Sequence, residues 1–180
     1  MPRCHVCRTV YERKRLTQKV CGDIDCAIEY SRREARRKLE KAGRKALREG
    51  RDRLKSRSDL AAEAQVAFNA FIRERDKGQP CISCGQSTGC KMNAGHYLSR
   101  GARPELRFHE FNAHIQCEKC NSYLSGNIGE YRKGLILKIG KERVEWLEGP
   151  HEPKHYTVDE LKAIKARYRE KLKELRDGKI

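Results

Sequence analysis

Pro80-Cys81-Ile-Ser-Cys84-Gly85 and Cys117-Glu-Lys-Cys120-Asn121 decide how this chain folds. Each carries two cysteines three positions apart, and thiolates at that spacing in a tight turn supply half of a tetrahedral zinc site. Cys81, Cys84, Cys117 and Cys120 are therefore expected to bind one structural zinc ion. The knuckles pin the two ends of residues 85–116 together, so that segment must return on itself as a hairpin or compact loop. His96 lies in the segment, and Asn121 follows the last cysteine at the expected start of a helix.

Outward from this core, the other cysteines repeat the theme. Cys4-His-Val-Cys7 and Cys21-Gly-Asp-Ile-Asp-Cys26 make a second expected Cys4 zinc site, with His5 as a competing ligand, and Cys90 is left over. A segment as small as residues 1–26 has little else to fold around. Nine cysteines in a chain with no apolar N-terminal segment point to metal rather than disulfides. No apolar run is long enough to span a bilayer, so a soluble, intracellular protein without a membrane partner is expected.

Hydrophobic residues make up 37% of the chain and charged residues another 37%, which favours small metal-stapled cores and polar helices over one large core. The net charge of +16 is uneven. Residues 1–58 hold 19 Lys/Arg against 8 Asp/Glu, a net +11, leaving +5 for the remainder. A stretch so basic suits a polyanion, because neutralising phosphates releases condensed counterions.

Residues 27–57 lack proline and read as a long exposed helix, interrupted only by Gly43 and Gly50. Leu60, Ala64, Ala67, Phe68, Phe71 and Ile72 give residues 59–77 an apolar helical face, with Ser58 or Asp59 as cap. Residues 129–148 are expected to be helical, burying Leu135, Ile139, Val144 and Leu147, with Trp146 a further candidate. Thr157-Val-Asp-Glu160 is a capping box opening a last helix, whose stripe of Leu161, Ile164, Tyr168, Leu172 and Leu175 suits the core or a second subunit.

The order of parts between the knuckles, with Ala94-Gly-His-Tyr97, Asn112 and Cys120-Asn121, resembles the zinc-stapled HNH endonucleases of the His-Me finger, or ββα-metal, fold. A closer resemblance is to the NinG (Rap) recombination protein family of lambdoid phages. It rests on Phe71-Ile-Arg-Glu-Arg-Asp76, Pro80-Cys-Ile-Ser-Cys-Gly85, Leu106-Arg-Phe108, Ser125-Gly-Asn127 and Ala163-Ile-Lys165. Phage endonuclease VII is similar in layout. The resemblance implies an α+β, mostly α, fold: a small ββα module with its Cys4 zinc site and flanking helices over 58–180, a basic helical linker over 27–57, and a zinc finger over 1–26.

It further implies a metal-dependent endonuclease acting on branched DNA, Holliday junctions or D-loops, in phage recombination. His96 matches the family's general base. Asn121 matches a ligand of the catalytic Mg²⁺ or Mn²⁺ ion, and Asn112 matches the residue that braces the base's loop. Most HNH enzymes carry an acidic ligand immediately before the base; here that position is Gly95, leaving Asn93, Glu118, His114 or a backbone carbonyl as substitutes. Arg100, Arg107 and His114 are candidate DNA contacts, since arginine matches phosphate with its planar fork. Symmetric incision of a junction calls for a homodimer, with phage or host recombination proteins as further partners. Two other readings stay open: a zinc-finger nucleic-acid-binding recombination factor without catalysis, and a protein that bridges such partners through its long helices.

Overall fold

The computed structural model describes residues 1–179 and divides into two compact units, Met1–Lys55 and from Ser56 onward. It is α+β and mostly helical. In the first unit, Arg3 pairs with Val10 across the Cys4–Cys7 turn, and the His5 amide donates to the Lys19 carbonyl. Helix α1, Ile24–Arg53, runs unbroken through Gly43 and Gly50. Asp23 caps it by accepting from the Cys26 amide, so the last cysteine of the first group already belongs to the helix. This explains the wide spacing from Cys21 to Cys26: a helix N-cap lies between them. Cys26 is the one buried residue of α1, and i,i+4 pairs such as Glu29–Arg33 and Lys45–Glu49 decorate the rest.

The second unit begins at helix α2, Arg57–Arg75, which is capped by Ser56 in a capping box with Asp59 rather than by Ser58 or Asp59 itself. Its apolar face packs against helix α5, Val158–Arg176, which Thr157 and Glu160 cap as the sequence predicts. The α5 stripe therefore faces the chain's own core. Phe68 is fully buried there, its ring edge-on to Tyr168 at 4.8 Å. Burying a side chain of that size contributes about 1.5–3 kcal/mol.

Between α2 and the helices that follow lies one antiparallel hairpin, β1 (Met92–His96) and β2 (Ala113–Cys117), with His96 opposite Ala113 and Gly95 opposite His114. Side chains alternate across a strand. Ala94 and Ala113 thus join the α2–α5 core, while Gly95, His114 and Gln116 face the other way, where the Tyr131 hydroxyl donates to the Gly95 carbonyl. After β2 a short π-helical turn, Lys119–Tyr123, leads to helix α3, Ile128–Ile139, and helix α4, Lys141–Glu148. The helical stretch expected over 129–148 consists of two helices: Gly140 takes φ +87°, a conformation that favours glycine, and turns the chain. Leu135, Val144 and Leu147 still meet in one core, with Ile139 at its edge. Trp146 stays half-exposed. No helix among the described residues is long and apolar enough to cross a membrane.

Candidate functional site

Two sets of four cysteines could each hold a metal ion: Cys4, Cys7, Cys21 and Cys26 in the first unit, and Cys81, Cys84, Cys117 and Cys120 in the second. In both, all sulfurs lie within 4.8 Å of one another, and the Cys7–Cys21 and Cys84–Cys117 pairs stand 3.7 Å apart. Four thiolates about 2.3 Å from one zinc would be separated by about 3.8 Å, so the donor sets fit that ion. Backbone amides of Val6 and Cys120 point at the sulfurs of Cys4 and Cys117, as suits thiolate charge. His5 is not among the ligating groups; its ring lies edge-on to Tyr30 of α1. Cys90 packs beside the second set without joining it.

Beside the second set opens a cleft of about 690 Å³, lined by His96 and Asn121 together with Asn93, Arg100 and Glu118. The hairpin brings His96 to one wall, and the π-helical turn after Cys117 brings Asn121 to another. His96 Nε2 lies 3.0 Å from the Arg107 carbonyl. A carbonyl only accepts, so the proton is on Nε2 and Nδ1 is the basic nitrogen. Burial pushes the His96 pKa down to about 4, helped by the charges of Arg100 and Arg107 and opposed by the carbonyl bond. The ring is therefore neutral at physiological pH.

Asn112 is fully buried behind this wall. Its Nδ2 donates to the carbonyls of Leu98 and Leu106, and its Oδ1 accepts from the Leu98 amide, tying the loop after His96 to the start of β2. Asn112 thus holds backbone and does not line the cleft. Arg100 is exposed at the rim. The two other expected DNA contacts have their side chains engaged within the fold. Arg107 spends its fork inside the protein, donating to Gln65 Oε1 and to the Ala61 carbonyl. His114 is 2% exposed, on the hairpin face away from His96. Its Nδ1 sits 3.0 Å from Arg75 and 3.4 Å from Asp76. That burial also removes it as a substitute metal ligand, whereas Asn93 and Glu118 remain in the cleft.

The profile of the family described as NinG, Bacteriophage Lambda NinG protein, matches residues 1–178. The chain belongs to the NinG family. It is 51% identical over 126 residues to Protein ninG of Escherichia phage lambda and to that of Salmonella phage P22, matches covering 70% of this chain and 62% of each relative. Protein ninG of Enterobacteria phage H19B is 49% identical over 126 residues, 70% of this chain and 63% of the relative. The matches thus span a little under two thirds of the relatives' length. No solved structure matches.

In this NinG-family chain the geometry explains why glycine precedes the histidine. A Cβ at position 95 would overlap the Gln116 amide oxygen and come within 2.9 Å of the Gln116 Cβ. Gln116 is fully buried, and its Nε2 donates to the Ser83 hydroxyl and the Gly126 carbonyl, which fixes the amide oxygen over Gly95. No acidic side chain fits there. Gly95→Ala is expected to cost about 1–3 kcal/mol as overpacking, measured by urea unfolding. Adding Gln116→Ala should recover part of that loss, beyond the sum of the single changes; strict additivity would disprove the clash.

Asn69 and Arg73 also line the cleft, from α2, and no motif in the sequence marks them. They occupy positions i and i+4 on the polar side of a helix read for its apolar face, and only that spacing could have drawn attention to them.

Proposed function

We propose that the chain is a metal-dependent endonuclease of phage recombination that cuts branched DNA. The observation that carries this is His96: neutral, fixed through Nε2 to the Arg107 carbonyl, and opening on the same cleft as Asn121. A histidine so held is suited to take a proton from water through Nδ1. The cleft lining fits a hard divalent cation, since Asn93, Asn121 and Glu118 offer oxygen donors, with Glu118 also paired to Lys91 at 3.1 Å. When bound, Mg²⁺ or Mn²⁺ would stabilise negative charge on the phosphate and the leaving oxygen. Zinc at the two cysteine sets would be structural.

Basic surface supports DNA as the substrate. Lys41, Arg44, Lys45, Arg48 and Arg51 border one shallow groove along α1, a repeat suited to tracking phosphates without reading bases. Cutting both strands of a junction symmetrically would need two copies of the site, hence a homodimer.

The test is cleavage of a synthetic four-way junction and of linear duplex, with and without added Mg²⁺ or Mn²⁺. His96→Ala is expected to lower the cutting rate at least about 100-fold while junction binding persists. With the base titrating near pH 4, wild-type cutting should lose no base-limited rate between about pH 8 and pH 6. Cutting that survives His96→Ala would remove the assignment. The room denied to an acidic ligand at position 95 favours a second reading, a zinc-finger nucleic-acid-binding protein without catalysis. That reading predicts junction binding and no metal-dependent cutting by the wild type.

A further inference from the structure

We propose that α2 supplies the phosphate-binding wall of this cleft, through the Asn69 amide and the Arg73 guanidinium, with Gln65 and Arg107 as positioning residues. The proposal rests on the cleft receiving a nucleic-acid backbone, as in the function proposed above, but not on catalysis.

A chain of hydrogen bonds fixes which end of Asn69 faces the cleft. Arg107 Nε can only donate, and it lies 2.9 Å from Gln65 Oε1. Gln65 Nε2 therefore points onward, 2.8 Å from Asn69 Oδ1. With its oxygen engaged, Asn69 turns its NH₂ donors to the cleft it lines. Gln65 is buried, so water does not readily scramble this order. One residue thus organises two walls: the carbonyl of Arg107 holds His96, and its guanidinium, through Gln65, orients Asn69.

Arg73 lies one turn further along α2. Its charged neighbours are engaged: Glu74 with Lys77 and Arg176, and Arg75 with Asp76. Among the described residues Arg73 has no acidic partner, and it is exposed at the cleft lining. An oriented amide donor and an unpaired guanidinium on the α2 wall suit a phosphodiester, while the oxygen donors Asn93, Asn121 and Glu118 elsewhere in the lining suit the cation.

The probe is a synthetic four-way junction, bound by the full chain without added Mg²⁺ across a salt series. Arg73→Ala should weaken binding about 5- to 10-fold and reduce the slope of log affinity against log salt by about one, and Arg73→Lys should restore the slope. Asn69→Ala should weaken binding by a similar factor. Gln65→Glu is the sharpest arm. The near-isosteric carboxylate still accepts from Arg107 but cannot donate to Asn69. Asn69 must then turn its oxygen to the cleft, so binding should weaken at least as much as in Asn69→Ala, with the thermal midpoint little changed. If Gln65→Glu fails to fold, the Asn69 and Arg73 variants decide. An unchanged salt slope in Arg73→Ala together with unchanged affinity in Asn69→Ala would overturn the proposal, even where His96-dependent cutting stands. Binding that responds to these variants without any cutting would keep the phosphate wall and remove the nuclease assignment. No junction binding by the wild type would remove both.

Discussion

Stripping metal from the purified chain is expected to unfold residues 1–26 outright, while the second unit keeps most of its helix and loses the order of its cleft. The difference follows from what else each unit buries. In the first unit the buried residues are Cys4 and Cys26, two of the four expected zinc ligands, and no apolar cluster forms there. Zinc held by four thiolates supplies on the order of 10–16 kcal/mol in small domains, and a segment without a core has no substitute for it. Helix α1 would then keep only its surface pairs, each contributing about 0.2–0.5 kcal/mol. In the second unit the α2–α5 core and the Tyr97–Tyr131–Leu135 core persist without metal. The knuckles, however, set where β2 ends and the π-helical turn begins, so Asn121 should lose its place in the cleft that His96 lines. Titration with a coloured chelator should release two zinc ions per chain. Amide spectra should then lose dispersion for residues 1–26 and for 81–127, with helical circular dichroism reduced only in part. A chain that is folded throughout without metal, or that releases fewer than two ions, would contradict the assignment.

The same contrast shows what could be read from the sequence. Cysteine spacing located both clusters, because a ligand pair is local and its geometry is set by a turn of a few residues. The apolar faces of α2 and α5 were legible for a similar reason: helical period alone places Phe68, Ile72, Leu161 and Tyr168 on one side. Strand register is not local. Whether His114 lies on the face of His96 or behind it depends on which residue of β1 it meets, and pairing with Gly95 puts it behind. Arg107 shows a second kind of non-local dependence. Arginine in a loop after the histidine suits phosphate, but here Gln65 on α2, far away in sequence, captures its fork. Gly95 looked like a missing ligand; Gln116 across the hairpin makes it a steric requirement. Each of these depends on a partner roughly 20 to 40 residues away, which spacing and composition do not encode.

Asp76→Asn is expected to destabilise the second unit by about 3 kcal/mol, because the partly buried Arg75 and Lys138 lose a shared, buried counter-charge and the Ile115 amide loses a charged acceptor, and so to lower the thermal midpoint by about 10 °C. Asp76 is 3% exposed at the C-cap of α2. Arg75 donates to both its oxygens at 2.9 Å, Lys138 of α3 stands 3.1 Å away, and the Ile115 amide of β2 donates to it at 3.0 Å. One carboxylate thereby ties α2, the hairpin and α3 together, and an amide in its place cannot accept from all of them. Burial alone would raise its pKa, but the hydrogen bonds at His114 and Arg75 and the charges of Arg75 and Lys138 outweigh it, holding the carboxyl well below the usual range. The sign of the pH effect follows. A depressed carboxylate stabilises the fold fully above its unfolded pKa, near 4, and loses that contribution as pH falls further. Wild-type stability should therefore drop steeply below about pH 4, and the Asp76→Asn protein should lack that part of the drop while being less stable at neutral pH. Urea unfolding of both proteins at pH 7 and pH 3 measures the difference, and equal losses on acidification would show that the stabilising charge lies elsewhere. Because β2 would lose its anchor to α2, the junction cutting proposed above should fall with stability in Asp76→Asn. In His96→Ala, cutting should fall while the Asp76-dependent acid response stays in place.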